Sequence, residues 1–256
     1  MTRPVSRSIA QCELTHLARE PIDIERARSQ HAAYEALLSD LDCAVIRIPG
    51  ADDLPDAVFV EDTAVVLDEV AVLTRPGAAS RRPEAEAVVP HLTAFRPLRS
   101  MREPATMDGG DVLRLGRTLY VGRSHRTNPH GFEHLRQHAE PFGYRVVAVD
   151  FTGCLHLKSA VTALSDELVL VNPAWVSPAC FAGCEAIAVD EREPYAANAL
   201  RIRDTIVFPS EYPRTRERVH DRGLRVVTTE CGELAKAEGA VTCCSLVFEA
   251  RPMPRA

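Results

Sequence analysis

At 256 residues and 46% apolar composition, the chain can bury a large core as one domain or at most two. Its net charge of −6 speaks against nucleic acid as a main partner and leaves room for a cationic small substrate. No apolar run approaches the roughly 18 residues of a membrane span, and the opening MTRPVSRSIAQCELTH has no signal-peptide core.

In chain order, IDIERARSQHAAYEALLS (22–39) sets Ile24, Ala27, His31, Tyr34, Leu37 and Leu38 on one stripe of helical period. A short strand, CAVIRIP (43–49), follows, then an Asp/Pro-rich loop into a first strand pair, VEDTAVVLDEVAVLTRP (60–76). A second pair, MDGGDVLRLGRTLYVGR (107–123), leads to a helix over 129–141 and a strand over 144–149. LHLKSAVTALSDELVLVN (155–172) is a third pair. YAANALRIRDTIVFPSEYP (195–213) is a fourth, trailed by a helix over 212–222 and a strand over 224–229. VTCCSLVFEA (241–250) supplies the first strand of a fifth.

Marked by Asp62, Gly110, Ser159, Asn198 and Cys244, these copies are spaced 48, 49, 39 and 46 residues apart. One hairpin cannot bury its own apolar face, so repeats of this period predict a radial array. The unit is strand–strand–helix–strand. The expectation is therefore an α/β fold, a single five-bladed propeller domain over 1–256, with the N-terminal segment around Val5–Ile9 closing the ring.

The strand pattern repeats but the polar cluster before each strand does not. Glu61–Asp62, Asp108, His156–Lys158, Asn198 and Cys243–Cys244 start equivalent strands, and radial symmetry gathers them at one end of a central channel. Cys243 is the candidate nucleophile, since a thiolate at a polar rim is placed to react. If Cys243 and Cys244 lie on a strand, one faces the channel while the other packs inward. His156 is the one histidine of nine in such a cluster, and an imidazole supplies a general acid/base. Glu61, Asp62 and Asp108 crowd acidic groups at the rim, where carboxylates hold either a metal or a planar cation. Arg81 and Arg126, on loops SRRPE and SHRTNPHG, suit a carboxylate clamp. Cys180 and Cys184 have no second pair with them and do not make a zinc site. Eight cysteines without a secretion signal suggest free thiols in a reducing, cytoplasmic compartment.

Together FVEDTAVV (59–66), TRPGAASRR (74–82), DGGDVL (108–113), SHRTN (124–128), LHLKS (155–159), YAAN (195–198), YPRTRE (212–217) and TCCSL (242–246) resemble the dimethylargininases of the guanidine-modifying (pentein) superfamily. The resemblance covers nearly the whole chain. It implies Cys243 as nucleophile, His156 as proton donor and Asp108 as the acidic catalytic member. It further implies Glu61, Asp62 and Asp56 as substrate-binding acids, Arg81 and Arg126 as the grip on the α-carboxylate, and Ala237 and a lid residue, Leu14, as further substrate contacts. It needs no metal or organic cofactor, and implies hydrolysis of methylated arginine to citrulline and a methylamine by a monomer or homodimer. The departure is Glu238-Gly239-Ala240, where relatives often have Asp-Gly. Rival readings are arginine deiminase, arginine amidinotransferase, and a non-enzymatic five-fold propeller that binds a partner.

Overall fold

The computed structural model describes residues 1–250; the last six positions of the expected 1–256 domain lie outside the described residues. Helix α1, Ile24–Asp40, starts on an Asp23 cap that accepts the Arg26 N–H at 3.0 Å, and it buries Ala27, His31, Tyr34 and Leu38 of the expected stripe. Four three-stranded sheets follow. They are β1–β3 (Ala64–Val66, Ala71–Leu73, Leu98–Ser100), β4–β6 (Val112–Leu115, Thr118–Arg123, Arg145–Asp150), β7–β9 (Val161–Ala163, Leu168–Val171, Glu185–Ala188) and β10–β12 (Leu200–Ile202, Thr205–Pro209, Arg225–Thr229). In each, the first two strands pair antiparallel, and the chain then crosses over to add the third parallel to the second. The crossovers in the second and fourth sheets carry α2 (Pro129–Ala139) and α3 (Pro213–His220). Central strands such as LVLV and TIVFP are nearly continuous apolar runs, as burial on both faces requires.

The fifth unit is assembled from both ends of the chain. Met1 and Leu246 exchange backbone bonds, the α-amino group donating at 2.7 Å and the Leu246 N–H at 2.9 Å. Thr2 then bonds Ile46 and Ile48 on its other side, at 3.0 and 2.8 Å, and Thr2 and Arg47 form a parallel bridge. This repeats the antiparallel-then-parallel order of the complete sheets. The N-terminus therefore closes the ring, but through Met1–Thr2 and not Val5–Ile9. Val5 and Ile9 instead pack into an apolar cluster with Tyr34, Phe59 and Cys243, as the chain turns through a short 3-10 helix at Ile9–Gln11. The expected strand over 43–49 is reduced to that single bridge.

Apolar packing shows the same fivefold order. One cluster joins Val65 and Val72 to Leu119 and Leu135 of the next unit. Others join Tyr120 to Val169, Leu170 to Phe208, Val207 to Tyr34, and Ile48 and Leu246 to Leu73. Each unit buries its face against its neighbour, which a lone hairpin cannot do. The result is a five-bladed α/β propeller. Among the described residues no helix is long and apolar enough to cross a membrane.

Candidate active site

The polar clusters do not lie on the first strands but on short helical turns just before them: Val60–Thr63, Gly109–Asp111, Leu157–Ala160 capped by His156, and a non-strand turn holding Val241–Cys244. This corrects the placing of Cys243 and Cys244 on a strand. The Cys243 N–H bonds Ala240 O at 3.1 Å and the Ser245 N–H bonds Thr242 O at 3.4 Å, so the backbone curls where a strand would extend. A helical turn points successive N–H groups and side chains at the adjoining unit, and they bond around the ring. Gly110 N donates to Asp62 Oδ1 (2.9 Å), Leu157 N to Asp111 Oδ1 (3.1 Å), and Asn198 Nδ2 to Lys158 O (3.0 Å). Thr242 N donates to Asn198 Oδ1 (3.0 Å), and Glu61 N to Cys243 O (3.2 Å) closes the circle. The two glycines of DGGD serve close approach: a Cβ on Gly109 would meet Glu61 O at 2.1 Å, and one on Gly110 would meet His156 Nδ1 at 2.6 Å.

Inside this circle the His156 ring is held between two carboxylates, Nε2 at 3.0 Å from Asp108 Oδ2 and Nδ1 at 3.9 Å from Asp62 Oδ1. Burial disfavours the imidazolium, but Asp62 and the Asp108 hydrogen bond outweigh it and raise the His156 pKa to about 9. Burial likewise opposes charge on Asp62. The His156 and Arg81 cations prevail and hold its carboxyl well below the usual range. The Cys243 thiol goes the other way: burial first, then Glu61 and Asp62, push it up to about 12. Glu61 accepts from Lys158 Nζ at 2.5 Å and from Thr242 Oγ1 at 2.8 Å; burial raises its pKa.

The two arginines occupy unlike places. Arg81 is 3% exposed, and its donors are committed to Asp62 (2.7 Å), Glu84 (2.8–3.2 Å) and the carbonyls of Asp56 and Phe59. Arg81 is thus held by buried acids of its own scaffold, whereas Arg126 reaches toward Asp108 from a loop. Arg126 lies just ahead of α2, whose Asn128 cap accepts the Gly131 N–H at 2.8 Å. Its Nη1 is 3.6 Å from Asp108 Oδ2, buried and without a hydrogen-bond partner. Asp111, which the residue pattern did not single out, fixes this corner. Its Oδ2 accepts the hydroxyls of Ser124 (2.5 Å) and Thr127 (2.6 Å), and Ser124 Oγ in turn accepts the N–H groups of Arg126 and Thr127.

Of the remaining expected residues, Asp56 is buried and accepts the Glu13 N–H at 3.1 Å. Ala237 is buried, and Leu14 packs half-buried on the cluster containing Cys243. Asp62, Asp108 and His156 have ligand atoms within 4.8 Å of one another, a spacing a metal ion could use. Arg81 and Arg126 already set positive charge against both carboxylates, so the donor set suits a diffuse organic cation better than a dication.

The family profile described as N,N dimethylarginine dimethylhydrolase, eukaryotic, matches residues 11–179. The chain is 41% identical over 248 residues to the N(G),N(G)-dimethylarginine dimethylaminohydrolase of Streptomyces coelicolor, covering 96% of this chain and 95% of that one. The chain belongs to the dimethylarginine dimethylaminohydrolase family. Within that family, its fold superposes on the Pseudomonas aeruginosa enzyme, a Cys-to-Ser mutant complexed with citrulline, with a TM-score of 0.92 and 33% identity. The match covers 96% of this chain and 97% of that one. The N-terminal domain of a cyanobacterial arginine dihydrolase shares the fold (TM-score 0.82) at 20% identity.

The residues that sequence reasoning missed are the supports. Glu84 lies three residues after Arg81, a spacing that pairs side chains on a helical turn, and Asp111 ends the DGGD motif itself. Both were legible as motif members but not as partners.

Proposed function

We propose that this protein hydrolyses Nω-methylated arginine to citrulline and a methylamine, with Cys243 as nucleophile, His156 as general acid and base, and Asp108 orienting His156. The observation that carries the reading is an imidazole held cationic between Asp62 and Asp108, with the buried Cys243 thiol under the same Asp62 charge. A guanidinium resists attack because its charge is delocalised. Asp62 and Glu61 fix it in one orientation and favour its charged form. In the free enzyme the thiol keeps its proton. The substrate's positive charge lowers that pKa, and the proton leaves to solvent as the thiolate forms.

The Cys243 sulfur then adds to the central guanidinium carbon, giving a tetrahedral adduct. His156 protonates the substituted nitrogen, the C–N bond breaks, and the amine departs, leaving an S-linked thiouronium cation. Now neutral, His156 takes a proton from water. The resulting hydroxide adds to the same carbon, the C–S bond breaks, and the added hydroxyl passes its proton to the departing sulfur, releasing the ureido product and the thiol. At the far end of the substrate, the free Nη1 of Arg126 takes the α-carboxylate, and Asp56, Leu14 and Ala237 surround the amino-acid end. Arg81 acts from beneath by holding Asp62.

Incubation with asymmetric dimethylarginine, monomethylarginine and unmethylated arginine, followed by a colour assay for citrulline, tests the reading. Turnover of the methylated substrates is expected. Preference for unmethylated arginine would move the protein to deiminase chemistry, and no turnover of any of the three would favour a binding module.

A further inference from the structure

We propose that Glu238 is a positioning residue that latches the segment 13–17 shut over the active site and so controls access to Cys243. The idea rests on the functional reading above only for which molecule enters. Three successive backbone N–H groups converge on this one carboxylate: Thr15 at 3.1 Å, His16 at 2.5 Å and Leu17 at 2.6 Å. Such a curl of donors around one anion is a nest, here filled by the Glu238 side chain.

Little else holds this segment. Among the described residues, 13–20 make no backbone–backbone hydrogen bond. The other ties are side-chain contacts: Asp56 to the Glu13 N–H, Ser80 to the Glu13 carboxylate at 2.5 Å, Arg126 to Thr15 Oγ1 at 3.4 Å, and, at the far end, Arg19 to the Cys12 sulfur and the carbonyls of Ala10 and Cys12. Behind the segment lies a cavity of about 130 Å³ bordered by His16, Leu17, Leu155, Asn198, Glu238 and Ala240. Leu155 adjoins His156, and Ala240 O accepts the Cys243 N–H. Arg126 ties the latched segment to the catalytic elements directly, its Nη2 reaching Thr15 Oγ1 while its Nη1 lies 3.6 Å from Asp108 Oδ2. With the latch made, Cys243 is 8% exposed and Asp108 is fully buried.

The local backbone sharpens the point. Gly239 N bonds Leu234 O and Glu238 N bonds Ala235 O, both at 3.0 Å, the bond pair of a helix that ends on a left-handed residue. That residue is Glu238, with φ 58°, at a position where glycine is the unstrained choice. The side chain is kept against backbone preference, which a latch explains and a turn does not.

Glu238→Gly is thus a clean test, since it removes the carboxylate and relaxes the turn; Glu238→Gln keeps the shape and removes the charge. In both, amide exchange at Thr15–Leu17 and iodoacetamide labelling of Cys243, measured without substrate, should accelerate roughly ten- to hundredfold, more in Glu238→Gly. The KM for dimethylarginine should rise while kcat changes less. Unchanged exchange and labelling in Glu238→Gly would overturn the latch. Because both readouts need no turnover, they stand even if wild type fails to convert dimethylarginine, an outcome that would sink the functional reading instead.

Discussion

The rim of turns around His156 and the segment 13–17 meet at Arg126 but are held in opposite ways. Around the rim each unit is bonded to the next through backbone groups and buried side chains. The segment is held by side chains alone, chiefly one carboxylate. Donors fixed before substrate arrives are what electrostatic stabilisation of a transition state needs. A part that must move is drawn from the weakly held end of the molecule. The contrast teaches that chemistry and access reside in different residues, so substitutions should separate them.

The largest effect tests the rim's chemistry. Cys243→Ser should abolish citrulline formation with an unchanged circular dichroism spectrum, while Cys244→Ser keeps substantial activity. Cys244 is 2% exposed, and its Sγ is turned back toward Ala240 O at 3.4 Å. Comparable loss in both variants, each well folded, would mean that the turn and not the thiol matters.

Next come the two arginines, which the rim treats differently. Arg81→Ala strips a buried cation from Asp62 and Glu84 and should cost about 3–5 kcal/mol of stability in denaturant unfolding. Arg126→Ala removes a donor that makes no hydrogen bond within the protein. It should raise KM by roughly 30- to 150-fold, about 2–3 kcal/mol, with a much smaller shift in unfolding midpoint. If the two variants prove equally stable and equally raised in KM, they form the symmetrical clamp that the loop motifs suggested.

The two arginines also show how far the residues alone could be read. The fivefold repeat, the antiparallel strand pairs of the complete units and the gathering of Glu61, Asp62, Asp108, His156 and Cys243 follow from period and pattern, because side-chain alternation and spacing are local; the third strands Leu98–Ser100 and Glu185–Ala188 did not declare themselves. The closing pair Met1–Thr2 with Leu246 was not legible, since two residues carry no periodicity and their partner lies at the far end of the chain. Turns were mistaken for strand starts because both bring a polar residue before an apolar run. The fate of Arg81 depended on Glu84 and Asp62 converging in space, and a charge on a loop does not declare its partner.

The smallest effect concerns Asp111, which ties the His156 turn to the Arg126 loop. Burial raises its pKa from 3.8 to about 6. A raised carboxyl pKa means the folded state binds the proton more tightly, so this group's stabilisation is full below pH 3.8 and is lost as pH rises through about 6. Asp111→Asn keeps an oxygen for the Leu157 N–H, but its amide cannot accept the Ser124 hydroxyl. That hydroxyl oxygen already accepts the N–H groups of Arg126 and Thr127, so its proton is left without a partner at a cost of about 1–3 kcal/mol. The asparagine does not ionise, so it also escapes the penalty of a buried charge. Wild type should therefore lead the variant by more near pH 4 than above pH 6, with the gap in unfolding free energy narrowing between them. The activity loss should be a few-fold, shared between KM and kcat because Arg126 and His156 both shift. A gap that stays constant across that range would show that Asp111 is ionised in the folded state throughout, and that its three donors, not burial, set its charge.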